Sequence, residues 1–352
     1  MKIKLFSLLL ASVLLVTCVF AVSCNDTEDE TPTTSESSTR EEESLPPPIE
    51  LADDDDLSYI MNADQASYSV IGLFHETGAI RIEIPEKHDG LPVTCIAASA
   101  FASSAYLESV FVPDTVTYIG NNAFDGCAVL ERIELSKNLL FVGELAFEGC
   151  DSLEFNEFDN ALYIGSESNP YTVLIKATDT EIESCTVHDD TKIIYDYAFL
   201  ECTEIDEIII PDGLMSVGCY AFEECYDLFP NNAHNGGYYL GNAGNPYLVL
   251  VDTNGERELS ELVIESTTKI IAPGALEGCS ALTEITIPES VCYIGQYAFE
   301  GCTSLSLVNF ESDTWTVIDG ERTYTPLSLE ASNADISKDL TEIYYYCAWH
   351  RQ

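Results

Sequence analysis

The residues predict a repeat solenoid, mainly β, in which short coils stack to form a parallel sheet. Residues 282–302, LTEITIPESVCYIGQYAFEGC, have the skeleton L-x-x-I-x-I-P-x-x-V-x-x-I-G-x-x-A-F-x-x-C, which recurs at 107–127, 130–150 and 205–225. The aromatic of the Ala-Phe pair falls at Phe101, Phe124, Phe147, Phe199, Phe222 and Phe299, with Leu276 in the equivalent place. Uninterrupted neighbours stand 23 residues apart, a period that marks a solenoid. Inside each unit the I-x-I run has the two-residue period of a strand, so its branched residues face one way and the middle residue the other.

The chain begins with an address. Lys2 and Lys4 precede an apolar run from Leu5 to Phe20 and then Ala21-Val22-Ser23-Cys24, the order of a secretory signal peptide over residues 1–23. Cys24 after small residues resembles the lipobox of bacterial lipoproteins, which implies acylation of that cysteine; plain cleavage after Ser23 is the alternative. Removing 1–23 takes two lysines and no acids, moving the net charge from −47 to −49. Residues 24–56 then read as an acidic disordered tether. From 25 to 50 there is no aromatic residue but much acid, Ser, Thr and Pro, too little apolar surface to offset ordering entropy. The run Asp53–Asp56 lacks the alternating ligands and glycine of a calcium loop and reads as a solvated turn.

Residues 57–106 read as an N-terminal cap and first coil. Tyr68–Ile71 and Ile80–Pro85 alternate as strands do. Pro85 to Phe101 spans 16 residues against 11 elsewhere, an insertion of five around His88-Asp89-Gly90.

The solenoid proper is read over 107–304. Each branched residue buried between coils is worth about 1.5–3 kcal/mol, so a coil is stable only in company. Pro ends the strand by removing a donor. Gly120, Gly143, Gly218 and Gly295 are expected to supply backbone freedom for the turn before Ala-Phe. Cys127, Cys150, Cys202, Cys225, Cys279 and Cys302 recur at one place. No C-x-x-C occurs, which argues against a zinc knuckle or redox pair. They read as buried free thiols, with bridging between coils as the alternative.

The pattern breaks twice: 52 residues separate Phe147 from Phe199, and 54 separate Phe222 from Leu276. The intervening segments, ALYIGSESNPYTVLIKA (161–177) and YYLGNAGNPYLVLVDT (238–253), resemble each other. Each reads as a β-hairpin added to the solenoid, near 155–184 and 229–261. Their tyrosines, Tyr163, Tyr171, Tyr239 and Tyr247, are candidate recognition residues, unless they pack on the solenoid flank. Residues 305–352 start as a repeat and diverge into a C-terminal cap, with Trp315 and Trp349 covering the last coil.

The repeated skeleton resembles the BspA-like (treponema-type) leucine-rich repeats of bacterial surface proteins, over roughly residues 68–312. That resemblance implies a curved leucine-rich-repeat stack, a cell-envelope location and a role in adhesion or protein binding. It implies no catalysis and no cofactor, and no ligand carries over.

Function follows the same line. Fourteen basic against 61 acidic residues excludes the clustered Lys and Arg that a phosphate backbone demands. There is no H-E-x-x-H, no G-x-S-x-G and no P-loop, so neither catalytic nor metal residues are assigned. The expected function is a binding module for an extracellular protein or glycan, held at the membrane only by an N-terminal lipid. The alternative is a self-associating envelope spacer. The candidate binding residues are the outward strand positions Ser109, Phe111, Arg132, Glu134, Glu207, Ile209, Glu284, Thr286 and Asn309, of which Phe111 and Ile209 are apolar residues predicted to be exposed.

Overall fold

In the computed structural model, which describes residues 49–74, 78–253, 259–312, 314–318, 325–328 and 347–351, each I-x-I run forms a rung in a first lane of parallel strands. Ile49–Ala52, Ala79–Glu83, Ser109–Phe111 and Arg132–Glu134 pair in that order. Ser184–Thr186 pairs with Glu207–Ile209, and Glu261–Val263 with Glu284–Ile287 and Leu307–Phe310. Residues 49–56, assigned to the tether on composition, are therefore ordered. Apolar Leu51 and Ala52 give the chain a rung to occupy before the acids Asp53–Asp56 turn it back toward Leu57. The segment expected to be a signal peptide, and Cys24, lie outside the described residues.

A second lane holds the segments that end at the recurrent glycine. It falls into three groups, and each group opens with a hairpin. Leu57–Met61 and Tyr68–Leu73 lead to Leu91–Ile96, Tyr118–Ile119 and Phe141–Val142. Ala161–Ile164 and Val173–Ala177 lead to Ile193–Ile194 and Ser216–Val217. Gly237–Leu240 and Val249–Asp252 lead to Ile270–Ile271 and Tyr293–Ile294. The chain is thus three blocks of hairpin plus coils. The two inserts do form hairpins, but they are spliced into the stack instead of being added to it, because their second arm is itself a rung. A third hairpin at 57–73, read only as cap strands from the sequence, does the same work for the first block.

The recurrent glycines serve close approach and not a left-handed turn. A Cβ on Gly120 would stand 2.5 Å from Ala98 N, on Gly218 2.4 Å from Asp196 N and on Gly295 2.3 Å from Pro273 N. These glycines allow the neighbouring coil's backbone to approach, and none has a positive φ. The left-handed residue falls two places later, at Asn122 (φ 56°), Leu145 (54°), Tyr197 (56°), Tyr220 (55°), Gly274 (69°) and Tyr297 (59°). The coil at 195 has no glycine because Tyr195 has another task. Phe124 N donates to Ala146 O of the next coil at 2.9 Å; at the block boundary that acceptor is missing, and Phe147 N donates to Tyr195 Oη at 3.1 Å.

The core runs along the stack. Phe101, Phe124 and Phe147 lie in series with centroids 5.5 and 5.7 Å apart, and Phe199 and Phe222 are 5.9 Å apart. Cys127, Cys150, Cys225 and Cys302 are free and buried, and each Sγ donates to the carbonyl of Phe or Leu one coil back, at 3.1–3.3 Å. That explains a cysteine there better than size alone: a small apolar group that also satisfies a buried acceptor. Burial pushes the thiols of Cys150, Cys225 and Cys302 up to about 12. Alkylation of Cys150, Cys225 and Cys302 at pH 8 is therefore expected to run at least about 100-fold slower in the native protein than after denaturation, read by mass spectrometry. Labelling of the native chain at the unfolded rate would contradict this.

The outward side of the second lane is buried as well, because the blocks meet there. Ser216 Oγ donates to Leu140 O at 3.1 Å, and Tyr293 Oη donates to Val217 O at 3.2 Å. Cys219 Sγ lies 3.5 Å from Glu144 Oε1 and 3.4 Å from Gln296 Oε1. The partners in these four contacts stand 75 to 77 residues apart in the chain, so equivalent places of successive blocks converge. His350 of the last strand, Ala348–Arg351, packs among Tyr118, Phe141 and Tyr293. This lane is filled by contacts within the chain.

Candidate functional site

The first lane supplies exposed, rigidly spaced side chains. Glu83, Phe111 and Glu134 share one register row, and Arg81, Ser109 and Arg132 the next. Of the predicted residues, Arg132, Glu207, Glu284, Thr286 and Asn309 are exposed and Ser109 and Glu134 half-buried. Phe111 is 48% exposed. Ile209 departs from expectation. Gly241 of the following hairpin bridges to it and leaves it half-buried. The structure brings Ser109, Phe111, Arg132 and Glu134 together on adjacent rungs, places Glu207 and Ile209 in the second block, and Glu284, Thr286 and Asn309 in the third. Val263, in register with Thr286 and Asn309, is 70% exposed and was missed, because its strand lies beside an insert that obscures the repeat.

The tyrosines of the hairpins are packing residues to different degrees. Tyr163 and Tyr239 are buried at 0% and 1% exposure, which removes them as recognition residues. Each meets the next tyrosine edge-on, Tyr163 with Tyr171 at 5.5 Å and Tyr239 with Tyr247 at 5.6 Å. Tyr171 then stacks on His188 at 4.0 Å and Tyr247 on His234 at 4.4 Å. The first block repeats the arrangement with Tyr59, Tyr68 and His88. The histidines sit at unrelated sequence offsets, so nothing in the repeat pattern pointed to them.

Around Phe111 the surface is shaped and charged. It lines two adjoining depressions, one of about 500 Å³ with Asp53, Asp54, Asp55, Glu83 and Glu86 and one of about 280 Å³ with Asp114, Glu134, Lys137 and Glu167. The basic side chains on this face are already engaged. Arg81 pairs with Glu83 at 2.6 Å, Arg132 with Glu134 at 4.0 Å, and Lys137 with Asp114. Its hydrogen bond from Lys137 holds the Asp114 carboxyl below its ordinary value. Asp53, Asp55, Glu86 and Glu167 remain exposed, leaving an apolar ring in a negative field. Among the described residues no group of three or more His, Cys, Asp or Glu side chains could hold a metal ion.

This geometry can hold a partner by apolar contact and charge. A model of the BspA type leucine rich repeat region matches residues 72–178, 176–232 and 254–350, in six copies. No curated protein matches the chain. Among solved structures, the leucine rich repeat protein of T. pallidum is 24% identical, with 71% of this chain and 88% of that one covered and a TM-score of 0.33. A leucine rich cell surface protein from Faecalibacterium prausnitzii is 25% identical, with 72% and 74% covered and a TM-score of 0.31. With its repeats matched over well more than half of the residues, the chain belongs to the BspA type leucine rich repeat family.

Proposed function

We propose that this is a non-enzymatic binding protein of the bacterial cell surface, tethered through an acylated Cys24, which docks an extracellular protein or glycan on the first-lane face of its first block. The observation that carries the reading is Phe111: a large apolar side chain, half exposed on a rigid rung between two depressions. Exposed aromatics on an ordered sheet are what an interface anchor demands, since little entropy is lost when they are covered. Adhesion to extracellular matrix is the role that fits a surface-displayed repeat face. A self-assembling envelope spacer would use the same face between copies.

The test is binding of the mature chain to arrays of matrix proteins and glycans, alongside Phe111→Ser. A bound component lost about tenfold or more in the variant, with unchanged melting, is expected. Equal binding by both proteins would remove this face from the function. No binding together with a sedimentation coefficient that climbs with concentration would put the spacer first.

A further inference from the structure

The left-handed turn position carries a second, different surface. Its φ suits Gly or Asn, and Asn122 and Gly274 stand there in two coils, yet Tyr197, Tyr220 and Tyr297 occupy it in three others. A bulky residue held at this φ is strained. Tyr197 and Tyr220 are 42% and 54% exposed and stack on one another, centroids 5.4 Å apart and planes 14° from parallel. Such a pair covers one face of each ring. What happens at the other face of Tyr220 depends on the coil that follows.

In that coil the equivalent residue is Gly274, which puts no side chain into the row. A Cβ built on Gly274 would find only Glu277 Oε2, at 3.7 Å, within 4 Å. Glu277 is exposed; burial, then Cys219, then the Glu277 charge raise the Tyr220 hydroxyl above its ordinary value. Glu223, Glu224 and Glu300 are exposed on the same turns. Across residues 193–321 the sequence contains only two basic residues, Arg257 and Lys269. A half-exposed ring, a turn position without a side chain in the coil that follows and an exposed carboxylate beside that position thus share a field with almost no cation of its own.

We propose that Tyr220, Gly274 and Glu277 form a slot for a lysine or arginine side chain of a protein partner, the cation lying over the Tyr220 ring and against the Glu277 carboxylate. Both elements attract the same ligand: the ring through its quadrupole and the carboxylate by charge-assisted hydrogen bonding, bidentate for a guanidinium. A sulfated or sialylated glycan is repelled by the same carboxylates. This surface lies on the turns of the second and third blocks and is independent of the face around Phe111.

The test uses the full mature chain and a short acetylated peptide bearing two arginines, with its citrulline isostere as control, followed by NMR or calorimetric titration. Tyr220→Gly keeps the backbone conformation and removes the ring; Gly274→Tyr fills the position. Each is expected to weaken arginine-peptide binding about tenfold, with Glu277→Gln between them and the parent, while Phe111→Ser leaves it unchanged. The citrulline peptide is expected not to bind. Equal binding of the arginine peptide by parent, Tyr220→Gly and Gly274→Tyr would overturn the slot and reduce the effect to general acidity. So would loss of binding in Phe111→Ser alone, which would move the cation site to the other face. Equal binding of the citrulline peptide would overturn the cationic assignment. Melting curves of the two variants within a few degrees of the parent exclude misfolding as the cause.

Discussion

Deleting residues 347–352 is expected to destabilise the third block by more than about 5 kcal/mol, the largest effect of any change considered. Ala348–Arg351 pairs with Tyr293–Ile294 on one side and Thr314–Ile318 on the other, so its removal leaves two strand edges open. It also takes away Trp349, 1% exposed, with buried Cys347 and Ala348. Trp349 stacks on Phe310, while Trp315 meets Phe310 edge-on, which ties the strand to the last first-lane rung. Truncating a buried Trp to Ala alone costs about 3–5 kcal/mol. A stack of repeats also depends on its ends, because the terminal coil has a neighbour on one side only. Hydrogen exchange in the truncated chain should rise across residues 259–312 and much less across 79–150. Trp349→Ala should show a smaller version of the same gradient. Uniform or unchanged exchange would mean that the strand does not cap the solenoid, and open edges would be expected to make the truncated protein aggregate.

A second large effect is expected in the pH dependence of stability, where two buried groups act in opposite directions. Burial lowers the His350 imidazole from 6.5 to about 3, and among the described residues its Nε2 has no hydrogen-bond partner. The unfolded chain takes up that proton below about 6.5 while the folded chain refuses it until about 3. Stability from this group is therefore lost as pH falls through that window. Asp196 behaves in the contrary sense. Burial raises its carboxyl from 3.8 to about 7, against the opposing bonds it accepts from Cys219 N at 2.7 Å and Leu145 N at 3.3 Å. Its contribution is fully present below 3.8 and is lost as pH rises through 7. From pH 6.5 to 4 the two contributions offset one another. His350→Phe keeps the ring contacts to Tyr118, Phe141 and Tyr293 and removes the titration. The variant should therefore gain on the parent by about 1 kcal/mol for each pH unit of acidification in that window. Urea denaturation of both proteins at pH 7, 6 and 5 measures the difference directly. A constant difference would show that His350 does not titrate between the two states.

Much of this protein could be read from residues alone, and the reason is that each coil repeats one local demand. A strand must bury Val110 or Ile133 on one side, and a Phe and a Cys must return the chain to the core. Such demands act within about 23 residues, so they leave a periodic trace. Phe111 was legible for the same reason, since alternation along a rung assigns its direction. Ile209 has the same alternation and yet is half-buried, because the residue that covers it, Gly241, lies in an insert whose place in the stack the pattern did not reveal. The buried state of Tyr163 and Tyr239 was hidden likewise. A hairpin arm looks the same in sequence whether it hangs from a solenoid or forms one of its rungs. The convergence of Glu144, Cys219 and Gln296, and of His350 with Tyr118 and Phe141, belongs wholly to the tertiary structure. Those contacts join places about 76 residues apart or more, and each depends on how every intervening coil is packed. Local periodicity decides what a coil is; which coils meet is settled by the geometry accumulated between them.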